Sequence, residues 1–461
     1  MPAGCGHPIP VARGKNMAAA DWIDPSMTGV VWTRTSREPQ IDRPPLDSDA
    51  QADLVIVGAG YTGLAAAIRA AAAGLRVIVV EAGIAGAGAS GRNGGYAVPH
   101  FPGALRPSAV EKLLGPRKGQ ALNALVSTGP DRVAELVRRY AIDSDFAQRG
   151  WVQPAHSQAA LAKVRAVHDD WRAFGVKVDW LDAGAVAAET GAAGYLAGWR
   201  NASGAVVNPL AHARGLARAA ESEGARIVEC TRVTGMAQEG PGRVIVTCTG
   251  PGGVHRLQAG KVLIATNAYT DALMPGLPRS VVTVRLYHIA TTPLPELLRR
   301  RILPNGNCFT DLRKSGGFGR YDTAGRLISG GAVFAASNVR AYGEAHARRR
   351  MAELFPQLRG QQIGIEDYWE GYCALTDSYL PHVQRLQPDV FAVLGFSTRG
   401  VALTQTIGQA MGDMLAGKGR LDDIPLEVVD GLRRIPFQPL KTAVGRQIFP
   451  LYQMKDRLGL S

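Results

Sequence analysis

The sequence has few of the features that mark secreted, membrane-spanning and metal-dependent proteins. No stretch reaches the roughly 20 consecutive apolar residues of a membrane span, and residues 1–48 lack the apolar core of a secretory signal. The five cysteines form no CxxC pair, and the nine histidines form no HExxH pattern. We therefore expect a cytoplasmic protein with reduced thiols, no metal site and no transmembrane span.

The formal net charge of +13 comes from arginines spread along the chain. The densest run is 348–350, and its helical pattern favours a solvated helix face over a nucleic-acid patch. No aromatic interleaving accompanies it, so we expect no nucleic-acid partner. A chain of 461 residues is too long for one core, and we expect two domains.

Residues 53–95 hold the most informative pattern. An apolar run at 54–57 predicts a buried parallel strand, and a glycine-rich turn follows at 58–63. An alanine-rich helix then leads to a second apolar strand at 77–80, which ends in Glu81. Strand, turn, helix, strand and acid in this order predict a dinucleotide-binding unit.

Each residue of this unit has a physical role in such a site. Gly58 permits the tight turn, Gly60 lets the backbone approach a pyrophosphate, and Gly63 lets helix and strand pack closely. The helix N-terminus favours phosphate, and Glu81 would accept the ribose hydroxyls. The carboxylate argues against NADP, but an NAD-dependent dehydrogenase stays open at this point.

A second glycine-rich, polar loop at 88–95 (GASGRNGG) suits a larger cofactor. Here the sequence resembles the D-amino-acid-oxidase-like (DAO) family of FAD-dependent amine oxidoreductases. Within that family it is most similar to the gamma-glutamylputrescine oxidase branch, whose members carry the same ASGRNGG run. The resemblance extends from Asp53 onward and includes GFSTRGVA at 395–402, where most relatives have a Gly-His-Gly-like or Gly-Arg-Gly-like triplet.

The resemblance implies an α/β fold: an FAD-binding Rossmann-like domain of the glutathione-reductase type, with a β-rich α+β substrate domain inserted in two excursions. After an N-terminal arm (1–48), we expect the FAD domain at 49–144, 204–274 and 364–461. The substrate domain is expected at 145–203 and 275–363. The tail from 435 could lie on a membrane surface or partner, but packing on the body is favoured.

The resemblance also implies which residues hold FAD, with non-covalent attachment favoured. They are Gly58, Gly60, Tyr61, Thr62, Gly63, Glu81, Ala82, Ser90, Gly91, Arg92, Asn93, Gly94, Gly95, Val233, Ala265, Thr266, Gly371, Gly395, Ser397, Thr398, Arg399, Gly400, Val401 and Ala402.

Four residues are candidates for catalysis. Arg320 matches a position that grips the substrate carboxylate in amino-acid-oxidising relatives, although it could be an ordinary strand arginine. Arg399 would add charge at the flavin if it points inward. Tyr287 and His288 are possible pocket residues or plain strand packing, and Tyr321, outside these four, has the same two readings.

The implied reaction is oxidation of a C–N bond in an amine or amino acid. Hydride passes to flavin N5, the imine is hydrolysed, and dioxygen is reduced to hydrogen peroxide. A dehydrogenase that uses another electron acceptor stays open, as does a non-catalytic flavoprotein. The sequence leaves the oligomeric state open.

Overall fold

A computed structural model describes residues 27–271, 273–332, 339–447 and 449–458. Its strands are β1 (Ala50–Val57), β2 (Val77–Val80), β3 (Tyr96–Ala97), β4 (Trp151–Ala155), β5 (Asp179–Asp182), β6 (Ala197–Asn201), β7 (Ala205–Val206), β8 (Arg226–Val228), β9 (Arg232–Gly240), β10 (Arg243–Gly250), β11 (Gly253–Ile264), β12 (Val282–Pro293), β13 (Cys308–Thr310), β14 (Phe318–Tyr321), β15 (Arg326–Ala332), β16 (Ile365–Leu375), β17 (His382–Gln387), β18 (Val390–Leu394) and β19 (Glu427–Asp430).

The helices are α1 (Trp32–Thr35), α2 (Tyr61–Ala72), α3 (Ala89–Arg92), α4 (Pro107–Leu114), α5 (Pro116–Ser127), α6 (Gly129–Arg139), α7 (Gln158–Ala173), α8 (Ala183–Thr190), α9 (Pro209–Ser222), α10 (Glu296–Arg299), α11 (Val339–Leu354), α12 (Gly400–Leu415), α13 (Gln438–Gln447) and α14 (Phe449–Arg457).

The first sheet has a parallel centre made by the predicted βαβ unit. Its strand order is β19-β17-β18-β11-β1-β2-β8, with β9 and β10 extending from β11. Val57 pairs with both Val80 and Ile264, so β1, β2 and β11 end at the same edge. These strands are apolar because helices or β-structure cover both faces. Ligands bind outside the carboxyl ends of strands in such sheets, which places a site at this edge.

The second sheet has the order β16-β12-β15-β14-β13-β4-β6-β5 and draws its strands from two separate parts of the chain. From the sequence, we expect the second excursion of the substrate domain to end at residue 363, but the sheet continues beyond that residue. The strand β16 follows that boundary, yet it pairs along most of β12, from Val282 opposite Leu375 to Thr291 opposite Ile365. The second excursion therefore continues to about residue 375 in the sheet.

The N-terminal arm packs on the body from Met27 onward. Trp32 is fully buried beside Val31. Arg43 is also buried and donates to Glu221 at 2.6 Å. Apolar burial and this charged contact together fix the arm on the FAD-domain side.

One expectation about cysteines is wrong. Cys248, Cys308 and Cys373 are free thiols, but Cys230 is disulfide-bonded. Spacing along the chain carries no information about which thiols meet in space, so the sequence could not show this bond. Cys5 lies outside the described residues.

In the part of the chain that the structure describes, no helix combines the length and the hydrophobicity needed to cross a bilayer. The longest of the helices run for 16 residues.

Close packing between α2 and α12 holds the phosphate turn against the rest of the FAD domain. A Cβ added at Gly408 would lie 2.4 Å from the Thr62 carbonyl oxygen, and one at Gly412 would lie 2.4 Å from that of Ala66. The two helix backbones can approach this closely only because α12 carries glycine at both contacts.

We expect Gly408→Ala to lower the free energy of unfolding by about 1–3 kcal/mol, because the new methyl group must push α12 away from α2. Gly419→Ala is the matched control, since a Cβ at Gly419 meets no atom within 4 Å. Denaturant unfolding of both variants measures the difference. Equal stability of the two would show that the helix contact has room for a methyl group.

Candidate active site

A cavity of about 1090 Å³ follows the carboxyl edge of the first sheet and continues to the second sheet. The volume lies slightly above the usual range for small-molecule sites. One end is lined by the turn after β1, by Glu81 and by Val233. The other end is lined by His288 and Phe318 of the second sheet. A long ligand could therefore contact both sheets at once.

The turn between β1 and α2 has the geometry of a phosphate cradle. Gly58 has φ +105°, a left-handed conformation that favours glycine. A Cβ at Gly60 would lie 3.0 Å from Ser90 Oγ, so a side chain would fill the space above the turn. The first N–H groups of α2 have no partner within the helix and carry partial positive charge. A pyrophosphate fits this donor set.

Glu81 closes the same end of the cavity. Its carboxylate accepts hydrogen bonds from the backbone N–H of Ala59 at 2.8 Å and of Gly83 at 2.9 Å. Burial raises the pKa of this carboxyl group, and the two N–H donors oppose that rise. The oxygens sit beside the turn, where the ribose hydroxyls of an adenine dinucleotide would need acceptors.

The loop 88–95 is held by side chains from distant segments. Trp32 Nε1 donates to the Asn93 carbonyl at 3.0 Å, and Trp369 Nε1 donates to the Arg92 carbonyl at 2.7 Å. Asn93 Oδ1 accepts from the Gly95 N–H at 2.7 Å. These bonds fix the backbone of the loop before any ligand binds.

Arg320 supports the same loop from behind. Its Nη1 donates to the carbonyls of Val207 at 2.8 Å and Gly95 at 3.4 Å, and its guanidinium lies 4.9 Å from the centre of the Trp32 ring. The side chain is 3% exposed and is not on the cavity wall. This placement differs from the expected substrate contact. The two carbonyls engage Nη1 alone, and Nε is buried with no hydrogen-bond partner.

The N-terminus of α12 also lies on the wall. Ser397 and Thr398 have φ 46° and 68°, and these two left-handed residues turn the chain into the helix at Gly400. The Thr398 N–H donates to Cys373 Sγ at 3.2 Å. A helix N-terminus carries roughly half a positive charge, so this part of the wall favours an anionic group.

Arg399 adds a full charge at the same place. Its Nη2 lies 3.3 Å from His100 Nε2, and its Nε has no hydrogen-bond partner. Burial lowers the pKa of the guanidinium to about 10, so it stays protonated at neutral pH. Burial also lowers the pKa of His100 well below its usual range, so His100 is neutral and can accept from Arg399. Arg399 thus contributes to the wall a positive charge with no acidic partner among the described residues.

Aromatic rings line the wall at the end formed by the second sheet. His288 stacks on Trp369 with ring centres 5.5 Å apart, and Phe318 packs against both His288 and Tyr96. Burial lowers the pKa of His288 to about 4, so the imidazole is neutral at pH 7. Its Nδ1 has no hydrogen-bond partner.

The charged side chains of the wall leave a positive excess. Arg232 pairs with Asp271 at 2.8 Å, and Arg313 pairs with Asp311. Outside these two pairs, the charged residues of the wall are Glu81 on the acidic side and Arg92, Lys163, Lys314 and Arg399 on the basic side. Elsewhere in the described ranges too, no three histidine, cysteine or acidic side chains meet in a metal-binding group.

Most of the site residues expected from the sequence are on this wall. They are Gly58, Gly60, Tyr61, Thr62, Glu81, Ala82, Ser90, Arg92, Asn93, Gly94, Val233, Ala265, Thr266, His288, Gly371, Ser397, Thr398, Arg399, Gly400 and Val401. The others lie behind it: Gly63, Gly91, Gly95, Tyr287, Arg320, Tyr321, Gly395 and Ala402.

The residues behind the wall allow close backbone approaches or pack beneath it. A Cβ at Gly63 would lie 2.1 Å from the Gly58 carbonyl oxygen, and one at Gly95 would lie 2.1 Å from that of Val207. Tyr287 is fully buried and bonds through its hydroxyl to His346 Nδ1 at 2.6 Å. It therefore packs under the second sheet and does not face the cavity.

Sequence reasoning did not include several wall residues: Tyr96, Tyr269, Phe318, Cys373, Lys314 and Tyr452. Tyr96 follows the ASGRNGG run directly, and that adjacency could have indicated it. Tyr452 carries no comparable local signal, because only the tertiary fold brings the tail to the cavity.

Comparison with known proteins shows a family likeness that covers most of the chain. Residues 53–414 match the family model described as FAD dependent oxidoreductase (DAO). The sequence is 31% identical over 424 residues to gamma-glutamylputrescine oxidoreductase of Escherichia coli (strain K12), covering 90% of this chain and 95% of that protein.

Two solved structures show the likeness of fold. Glycine oxidase from Geobacillus kaustophilus has a TM-score of 0.66 at 23% identity and covers 80% of this chain and 96% of its own. L-amino acid deaminase from Proteus vulgaris has a TM-score of 0.66 at 19% identity, and the match covers 84% of this chain and 96% of that protein. The predicted fold class is confirmed.

We expect Arg320→Lys to weaken FAD binding by about 10-fold or more, because one ammonium cannot reproduce the guanidinium contacts under Gly95. Arg326→Lys is the control, since Arg326 is on the adjoining strand and bonds instead to Glu366 at 2.7 Å. Titration of apoprotein with FAD gives the dissociation constant. Unchanged FAD affinity with a higher KM for carboxylate-bearing substrates would instead support a substrate contact for Arg320.

Proposed function

The chain belongs to the DAO family of FAD-dependent oxidoreductases, and from this premise we propose that it oxidises a C–N bond in an amine or amino acid that carries a carboxylate. The observation that carries the proposal is Arg399, a residue of the cavity wall whose guanidinium stays charged and forms no ion pair with an acidic side chain of the described residues. It stands in the same cavity as the dinucleotide cradle, so a substrate anion can reach it beside the cofactor.

Three groups of residues would hold FAD. The turn 58–63 and the N-terminus of α2 suit the pyrophosphate, and Glu81 suits the ribose. The loop 88–95 and the N-terminus of α12 supply backbone donors farther along the cavity. Bound FAD supplies the hydride acceptor N5 and the route by which the two electrons reach dioxygen, giving hydrogen peroxide.

The free thiol on the wall supports non-covalent attachment of the cofactor. Burial raises the pKa of Cys373 to about 12. The thiol therefore stays protonated at neutral pH, and a thiol is a far weaker nucleophile than a thiolate. We propose that Cys373 accepts a hydrogen bond from Thr398 and forms no bond to the flavin.

The charge of the wall also bears on the protonation state of the substrate. A positive excess disfavours an ammonium group nearby and so favours the neutral amine, the form that can lose hydride from its α-carbon. His288 is neutral and adds no charge near the substrate. The imine that results is hydrolysed in water. No protein base is required for the step.

The same charge balance supports one substrate class over another. A free second ammonium, as in a simple diamine, would meet Lys314 and Lys163 with no unpaired carboxylate in the outer part of the wall. A carboxylate would find Arg399 or these lysines. Gamma-glutamyl amines, secondary amino acids and N-methyl amino acids all carry such a group. The relatives act on substrates named as gamma-glutamylputrescine, glycine and L-amino acids.

We expect the purified protein to be yellow and its flavin absorbance to bleach without oxygen when a carboxylate-bearing amine is added. A screen across amines, amino acids and N-methyl amino acids, read by flavin reduction, measures this. A peroxide assay in air then separates an oxidase from a dehydrogenase that needs another acceptor. A protein that contains FAD but that no C–N substrate reduces would contradict the proposal.

We expect Arg399→Gln to raise KM by about 10- to 100-fold for carboxylate-bearing substrates, because a charged hydrogen bond contributes about 1.5–3 kcal/mol. Amines without a carboxylate should keep their KM. Arg117→Gln is the control, since Arg117 is exposed and its ion pair with Asp423 lies at the surface. Equal losses for both substrate classes would assign the charge to the cofactor and not to the substrate.

A further inference from the structure

The C-terminal helix α14 reaches the cavity from outside the family match, which ends at residue 414. Tyr452 of this helix is half-buried and lines the cavity. The ammonium of Lys314, another wall residue, lies 4.7 Å from the centre of the Tyr452 ring. The two side chains therefore form one continuous piece of wall from segments far apart in the sequence.

A buried cluster fixes the helix in this position. The carboxylate of Asp456 accepts from the Ser315 backbone N–H at 3.0 Å and from the Ser315 hydroxyl. Arg350 Nη2 donates to the same hydroxyl at 2.8 Å. Asp456 is 6% exposed, Ser315 is fully buried and Arg350 is 7% exposed. Water is excluded from these bonds, so losing one leaves a buried polar group unpaired.

The cluster lies directly beneath the substrate end of the cavity. Ser315 belongs to the loop 311–317 between β13 and β14, and its neighbours Lys314 and Gly316 are both on the wall. Phe318, which follows the loop, packs against Tyr96 and His288. A displacement of α14 would therefore loosen the loop that carries this part of the wall.

The two faces of α14 differ. Tyr452 and Asp456 face the body, and Gln453 Nε2 also bonds to the Tyr342 hydroxyl at 2.6 Å. Met454 is 51% exposed and Leu458 is 62% exposed on the other side. The contrast provides variants of the same helix that leave the wall untouched.

We infer that α14 is part of the substrate site, with Tyr452 as an outer wall that shields the reacting region from solvent and the Asp456–Ser315–Arg350 cluster as its anchor. The shielding role rests on the proposed function, because it concerns the end of the cavity where substrate would bind. The anchor does not depend on it.

Acrylamide quenching of flavin fluorescence in the holoenzyme tests the wall. We expect Tyr452→Ala to raise the quenching constant roughly 2-fold or more, because removing the ring opens the cavity to a small neutral quencher. Met454→Ala should leave it unchanged. Equal constants for wild type and Tyr452→Ala, or equal increases in both variants, would overturn the role of Tyr452.

Hydrogen exchange tests the anchor without any substrate or cofactor signal. We expect Asp456→Ala to speed exchange of the α14 amides by about 10-fold or more, since local opening loses its charged hydrogen bonds. Lys455→Ala, at an exposed neighbouring position, should exchange like wild type. Exchange in Asp456→Ala that matches wild type would overturn the anchor.

The two tests also separate this inference from the proposed function. If no C–N substrate reduces the flavin, the proposed reaction fails, yet quenching and exchange still report whether α14 closes the cavity. If the α14 amides of the wild-type protein exchange as fast as those of an unstructured chain terminus, the inference fails, but the proposed oxidation of substrate is unaffected.

Discussion

The site depends on how the backbone of the loop 88–95 is held. Glycine-rich backbone has more conformational freedom than any other, so an unsupported loop of this composition would lose that freedom only when ligand binds. Trp32 and Trp369 each donate an indole N–H to a loop carbonyl, and Arg320 donates to that of Gly95. The loop therefore loses its conformational entropy during folding and not during ligand binding, and its donors are in place when the cofactor arrives.

The distribution of charge in the site depends on which ionisable side chains are buried and on whether an acidic group lies beside them. The histidines at the site are neutral, because burial without an acidic partner lowers the pKa of His100 well below its usual range and that of His288 to about 4. Arg399 is buried beside one of them and stays charged, since even a pKa of about 10 keeps a guanidinium protonated at neutral pH. A buried positive charge beside a neutral imidazole is a strong determinant of which ligand group binds there, since a low dielectric strengthens the attraction.

The sequence predicted those parts of the site that are encoded locally. The turn 58–63 and Glu81 belong to one strand–helix–strand unit, so their spacing alone placed them at one sheet edge. The place of Arg320 was not predictable in this way, because the carbonyls it binds belong to Gly95 and Val207 in other segments. The same holds for the strand β16, whose pairing with β12 depends on the tertiary fold. Pattern reasoning sees periodicity and turns, but not which side chain fills a space between distant elements.

Segments near both ends of the chain also contribute to the site through tertiary contacts that no local sequence pattern predicts. The family match begins at residue 53 and ends at 414, and within it lie the phosphate turn, the loop 88–95 and Arg399. Trp32 precedes the match and steadies the loop, whereas Tyr452 follows it and lines the cavity. The two segments outside the match act at different places, because Trp32 supports the loop 88–95 from behind and Tyr452 contributes to the wall itself. A change at Trp32 would therefore disturb the loop that contacts the cofactor, whereas a change at Tyr452 would alter the cavity without touching that loop.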